Sequence, residues 1–388
     1  MEKFSKIVVW FMAAIILCSF SYGKKDERLW KTIINSYIQG YLESSKTGTY
    51  VKPYSLEENE ETYFYNVLGE LNGKRAMLLD TRFKNYTYSI KYKDIESRGT
   101  CIRITVLVDV DYEYENGVKG GVRDIDYEFQ LEKRDEGWVV TNLKSDYDEF
   151  QDFKNRVNEK KKVMRGENKE IIDNCRDEEI ERLKTYKKKP ISKNILSDKG
   201  QCGNPELSLG VAYALEFALK NKNDRLFYTA GNSDCTNFVS QCVWASLGNY
   251  NPLDNDYTVS NIKKEKCMIK NLWLGNQYGG TAAWENVEAL WIFILSRPEF
   301  KAKGVNQNQP LSNLNLDDIS EGDIIQVRKR NDYRYSHSAY VTSVKKDKDS
   351  NFIYVSQHSY DKLNRNLEDL IFSWGGEECY MRVVKFVK

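Results

Sequence analysis

The sequence predicts an α+β protein of two domains, each opening on helices and closing on antiparallel strands. Three observations predict it. The chain has 388 residues, enough for two domains at roughly 100–200 residues each. Helical periodicity appears twice, at 27–45 and again after 206, and each time alternating, β-branched runs follow it. A mixed-charge stretch and a Pro/Gly-marked loop separate the two halves. The boundaries read as 1–23, a leader; 24–150, a small α+β domain; 151–204, a charged helical linker; and 205–388, a second α+β domain.

The leader begins with Lys3 and Lys6, continues as an apolar run over 7–17, and ends with small residues at Ser21 and Gly23. A basic start, a short apolar core and a small-residue exit are the marks of a secretory signal peptide. The run is short for a membrane span, which needs about 20 apolar residues. The expectation is a secreted or envelope-associated protein, held at a membrane only if the leader is left uncleaved. Lys+Arg number 58 against Asp+Glu 57, a net charge of +1, so nothing suggests a nucleic-acid partner, which calls for a basic face. The cysteines form no CxxC framework and no Cys/His pairs at zinc-finger spacing, so no metal or cofactor is expected. Outside Cys235, the mature cysteines are an even set, which an exported protein could pair.

Apolar residues at Leu29, Ile33, Tyr37, Ile38 and Leu42 predict a first helix. Strands are expected over 87–92, 101–110, 127–131 and 138–141, with Asn116-Gly117 and Glu136-Gly137 as turns. A helix followed by long antiparallel strands resembles the cone-shaped NTF2-like or cystatin-like architecture. No catalytic constellation stands out there, so a spacer or partner-binding role is expected. The charge runs of 151–190 read as a solvated helix or linker. In the second half, Val211, Ala212, Ala214, Leu215, Ala218 and Leu219 make a helical stripe. A long insert over 249–315 carries Trp273 and Trp284. Strands are expected over 322–327, 338–344, 352–356 and 380–387.

One segment carries chemistry: Asp234-Cys235-Thr236-Asn237-Phe238-Val239-Ser240-Gln241-Cys242. It reads as a cysteine at the start of an amphipathic helix that stops at Gly248. A helix N-terminus favours a thiolate, the nucleophilic form of cysteine. The chain has two histidines, His337 and His358, both downstream in strand-like sequence. A helix-start cysteine with a distant strand histidine is a thiol hydrolase arrangement. Asp234 reads as the helix cap, and Cys242, two turns on, as core.

These residues resemble the papain-like hydrolases of the NlpC and CHAP type, above all the family called "putative amidase domain" proteins. The resemblance rests on the segment above and on Val211-Ala212-Tyr213-Ala214, Ala283-Trp284-Glu285-Asn286-Val287, Glu321-Gly322-Asp323-Ile324-Ile325-Gln326, Ser336-His337-Ser338-Ala339 and Val355-Ser356-Gln357-His358. It covers roughly the last 180 residues and not the amino-terminal half. It implies Cys235 as nucleophile and His337 as base, acting through a thioester on an amide bond, with cell-wall peptidoglycan peptide as the substrate class. A third group should orient the imidazole. Strand alternation lets only one of Gln357 and His358 face His337; His358 is expected, with Gln357 the alternative. Tyr228 resembles a pocket-lining tyrosine. The Cys235 N–H and a nearby donor would form the oxyanion hole. Trp284 reads as core first and as a substrate platform second. Two other readings stand beside hydrolysis: acyl transfer to an amine, and a non-catalytic surface binding or adaptor protein.

Overall fold

The structure is a computed structural model and describes residues 26–53, 55–186, 206–346 and 351–386. The expected leader, the loop over 190–205 and Cys202 lie outside the described residues. The chain is α+β, helices preceding antiparallel strands in both halves.

The amino-terminal half opens with helix α1 (residues 26–47) and α2 (Glu60–Leu78). Asn59 and Thr62 close a reciprocal capping box at the start of α2. Four long strands follow: β1 (Phe83–Arg98), β2 (Cys101–Tyr114), β3 (Lys119–Arg134) and β4 (Gly137–Lys144). Alternation in β2 buries Ile102, Ile104, Val106, Val108 and Val110 on one face. Helices α1 and α2 pack on that face through Ile34, Tyr37, Ile38 and Leu68.

Helices α3 (Asp148–Val163) and α4 (Asn168–Thr185) correct the linker expectation. Both are helical as expected, but neither is a solvated spacer. Phe150, Phe153, Val157, Ile171, Ile172 and Cys175 enter the same core as α1 and α2. Lys162, Asp177 and Glu178 are exposed, Glu179 is buried and ion-paired with Arg156, and this density of charge masked the sparse apolar stripe.

The second half begins with α5 (Leu207–Phe217) and α6 (Cys235–Trp244), continues through α7 (Asn255–Lys263), α8 (Ala282–Glu285) and α9 (Val287–Leu295), and turns to strand. The strands are β5 (Ala302–Val305), β6 (Ile324–Arg328), β7 (His337–Lys346), β8 (Asn351–Gln357), β9 (Lys362–Asn366) and β10 (Tyr380–Phe386), with α10 (Leu367–Ser373) before the last. Strands β5 and β9 and helix α10 were not expected from the sequence. One face of this sheet packs on α5 and α6 through Ile324 and Tyr340. The other packs on α10 through Ala339, Val341, Val355, Leu370 and Ile371.

The two halves share one antiparallel sheet, in the order β1-β2-β3-β9-β8-β7-β6-β10-β5 with β4 on β3. The seam is β3 against β9, where Gly121 pairs with Leu363 and Val122 with Lys362. Glycine is required there: a Cβ on Gly121 would sit 2.8 Å from Leu219 and 2.9 Å from the Val110 carbonyl. A cavity of about 90 Å³ lies at this seam, among Tyr41, Arg75, Tyr112, Glu149, Lys362 and Arg365.

Candidate active site

Cys235 is the first residue of α6. A short turn over Gly231–Ser233, with Gly231 at φ 60°, delivers the chain to it. Among the described residues no side chain caps the helix, so its first-turn donors and positive end are left to the thiol. Asp234 occupies the cap position but does not act as a cap, a correction to the sequence reading. Its carboxylate instead takes bonds from the Ala230 N–H at 2.7 Å and the Asn237 amide at 2.7 Å. Its other oxygen meets Arg225 at 3.2 Å and His358 Nδ1 at 2.7 Å. Burial pushes the Asp234 carboxyl up, but the bonds and charge of His358, with those of Asn237 and Ala230, hold it below the usual range.

His337 is the first residue of β7, paired with Val327 of β6. It meets the thiol across the strand end. Burial pushes the Cys235 thiol up, but the hydrogen bond and charge of His337, the Ser338 N–H and the Thr236 hydroxyl bring it below the usual thiol value. Both residues are nearly closed off, Cys235 at 6% and His337 at 7% exposure. Trp374, just past α10, stacks on His337 at 5.7 Å and 19°. The His337 Nε2 is buried and has no hydrogen-bond partner among the described residues.

The structure separates the two candidates for the third group. Tyr340 pairs with Ser356 and Val341 with Val355. Alternation therefore puts Gln357 on the face of His337 and Ala339, and His358 on the opposite face. His358 does not turn to His337, which corrects the first choice made from sequence. It stacks on Phe238 at 4.1 Å and meets the Phe217 carbonyl at 3.1 Å through Nε2, with Asp234 on Nδ1. Gln357 is buried, and its Oε1 has no hydrogen-bond partner among the described residues. Two unpartnered polar atoms thus lie on one face of neighbouring strands.

Trp284 is fully buried and packs on Trp273 at 4.9 Å, so the platform reading gives way to the core reading. Its indole N–H donates to Asn237 at 2.7 Å. Tyr228 donates its hydroxyl to Glu285, and its carbonyl accepts from Asn237 at 2.9 Å. Asn237, Gln241 and Tyr213 continue a buried chain of bonds along one face of α6. Much of the sequence specificity of that segment therefore serves to fix the helix. Cys242 is core. The described cysteines Cys101, Cys175, Cys235, Cys242, Cys267 and Cys379 are all unpaired.

Sequence reading missed several supporting residues. Arg225 joins Asp234 to Asp361. Ser338 bonds the Thr236 hydroxyl at 3.1 Å and accepts from Gln326 at 3.2 Å. Gln326 in turn accepts from Arg382 at 2.8 Å. The partners lie far apart along the chain, so no local pattern announces them. Among the described residues no group of His, Cys, Asp and Glu could hold a metal ion, and no helix is long and apolar enough to cross a membrane.

Residues 206–382 match a family model described as "Putative amidase domain". No curated protein matches this chain. Two solved structures show distant similarity. One is the Kfla4162 protein from Kribbella flavida, 11% identical over 32% of this chain and 93% of its own, with a TM-score of 0.20. The other is Rv3472(D26N), a function unknown protein from Mycobacterium tuberculosis, 13% identical over 41% of this chain and 93% of its own, also at 0.20. Scores that low inform neither fold nor function.

Proposed function

We propose, from the premise that residues 206–382 carry the amidase family match, that this protein hydrolyses an amide bond with Cys235 as nucleophile. The observation that supports it most is the lowered thiol at the uncapped start of α6, next to His337. An amide needs an ionised attacker and a protonated leaving amine, and one imidazole can serve both. The Cys235 thiolate attacks the carbonyl carbon and forms a C–S bond. The C–N bond breaks, and the amine leaves with the proton from His337. Water then attacks the thioester, gives its proton to His337, and releases the acid and the thiolate. The α6 donors would face the developing oxyanion. Gln357 is the positioning residue: its Oε1 would accept from His337 Nε2, leaving Nδ1 for sulfur.

The proposal extends to export through residues 1–23 and to a peptide of the cell wall as substrate class. Both rest on the sequence. The test is incubation of wall-derived peptides with wild type and Cys235→Ala, read by mass spectrometry. New amine and acid termini made by wild type alone, with an acyl adduct on Cys235, support hydrolysis. An adduct resolved only by an added amine would mean acyl transfer. Tight binding with no cleavage by either chain would move the function to an adaptor.

A further inference from the structure

The turn between β8 and β9 is strained, and it bonds the residue that precedes Cys235. Its two central residues, Ser359 and Tyr360, have φ of 62° and 65°. Turns with both residues left-handed favour Asn-Gly or Gly-Gly, because a Cβ is crowded there. A bulky tyrosine in that region costs of order 1–3 kcal/mol and persists only when its surroundings hold it. Those surroundings come from both halves of the protein.

From the amino-terminal domain, the Asp146 carbonyl accepts the Tyr360 hydroxyl at 2.7 Å. The Tyr147 ring meets the Tyr360 ring edge-on at 5.8 Å. The Arg123 N–H donates to the Asp361 carbonyl at 3.2 Å, one step beyond the β3–β9 pairing. Toward the catalytic domain, the Ser359 hydroxyl accepts the Asp234 N–H at 2.8 Å. Asp361 pairs with Arg225, whose side chain is 3% exposed and reaches on to the Asp234 carboxylate. Asp234 is the residue immediately before Cys235.

We infer that the amino-terminal domain is a positioning clamp for the nucleophile: it holds the left-handed Ser359–Tyr360 turn, and that turn fixes Asp234 and so the first turn of α6. This rests on the reading above only for the role of Cys235. Ser359, Tyr360 and Arg225 are positioning residues. The domain then has a task in the reaction without touching substrate, where a spacer would have none. A displacement of about 1 Å at a reacting group can cost on the order of a hundredfold in rate.

The test uses the full chain and two small substitutions on either side of the turn. Tyr360→Phe removes the bond to Asp146 and keeps the ring; Ser359→Ala removes the bond to Asp234. Hydrogen–deuterium exchange is read on the peptide that spans Asp234 and on the rest of the chain. The clamp predicts exchange at Asp234 faster by roughly fivefold to tenfold in both variants, the effect of one lost hydrogen bond, with other segments unchanged. It also predicts slower alkylation of Cys235 below pH 8. Unchanged exchange at Asp234 in both variants would overturn the clamp, and so would exchange that rises equally everywhere. Should wild-type Cys235 show no enhanced alkylation, the catalytic reading falls, while the exchange data still decide the clamp.

Discussion

On the proposed reading Cys235 and His337 carry the chemistry, and the residues around them divide by the kind of loss their removal should cause. His337→Ala removes the group that lowers the thiol and that would protonate the leaving amine. Its expected cost is about 10²–10⁴ in kcat, measured with whichever peptide wild type cleaves. Gln357→Ala should lower kcat about tenfold or more with KM and melting temperature little changed, because it only orients the ring. His358→Ala should do the reverse. It leaves the buried Asp234 with one fewer hydrogen-bond partner while Arg225 stays, a cost of about 1–3 kcal/mol, which thermal melting would detect. Equal effects on kcat and stability from Gln357→Ala and His358→Ala would contradict this division. The candidate nucleophile and base stood out in the sequence because a cysteine before a helix and a histidine at a strand start are local patterns. The candidate third residue did not: alternation limits it to one of Gln357 and His358, but only the register of β7 on β8 puts Gln357 on the face of His337.

At the scale of elements, α6 is held by a chain of buried bonds through Tyr213, Gln241, Asn237 and Asp234. Satisfied buried networks rigidify, and leaving one member unpaired costs about 1–3 kcal/mol. Asn237→Ala should therefore lower stability and, by loosening the start of α6, also slow alkylation of Cys235; loss of stability with reactivity intact would separate the network from the site. Helices and strands with clear period were read well, from the first helix to β8. Strand β9 was missed because Lys362, Asn364, Arg365 and Asn366 are polar yet buried. Lys362 meets Glu149 at 2.9 Å and Arg365 meets Asp369 at 2.7 Å. A strand whose burial is paid for by ion pairs shows no apolar alternation.

Over the whole molecule, the seam between the halves carries both the shared sheet and a buried ionic cluster. Burial pushes the Glu149 carboxyl up, but Lys362, Arg365 and Arg75 pull it down to about 2. A carboxyl held below its unfolded value stabilises the fold above the usual carboxylate range, about pH 4, and that contribution is lost as pH falls toward about 2. Thermal melting across that window should show wild type losing stability and Glu149→Gln, already weaker at neutral pH, losing less. Parallel curves would mean the cluster does not tie the halves together. The two-half architecture was legible from the repeated helix-then-strand order. The fusion was not, because its contacts are Gly121 and Val122 on one chain segment and Lys362 and Leu363 some distance away. Glycines that permit close approach look the same in sequence as glycines in a turn.

On the proposed reading Cys235 is a thiolate-prone nucleophile set by His337. The most direct test is the rate of Cys235 alkylation by iodoacetamide against pH, with peptide mapping, in wild type and His337→Ala. The account predicts rapid labelling of Cys235 well below pH 8 in wild type, with the low-pH reactivity lost in His337→Ala. Labelling no faster than an ordinary thiol, and the same in both proteins, would contradict it.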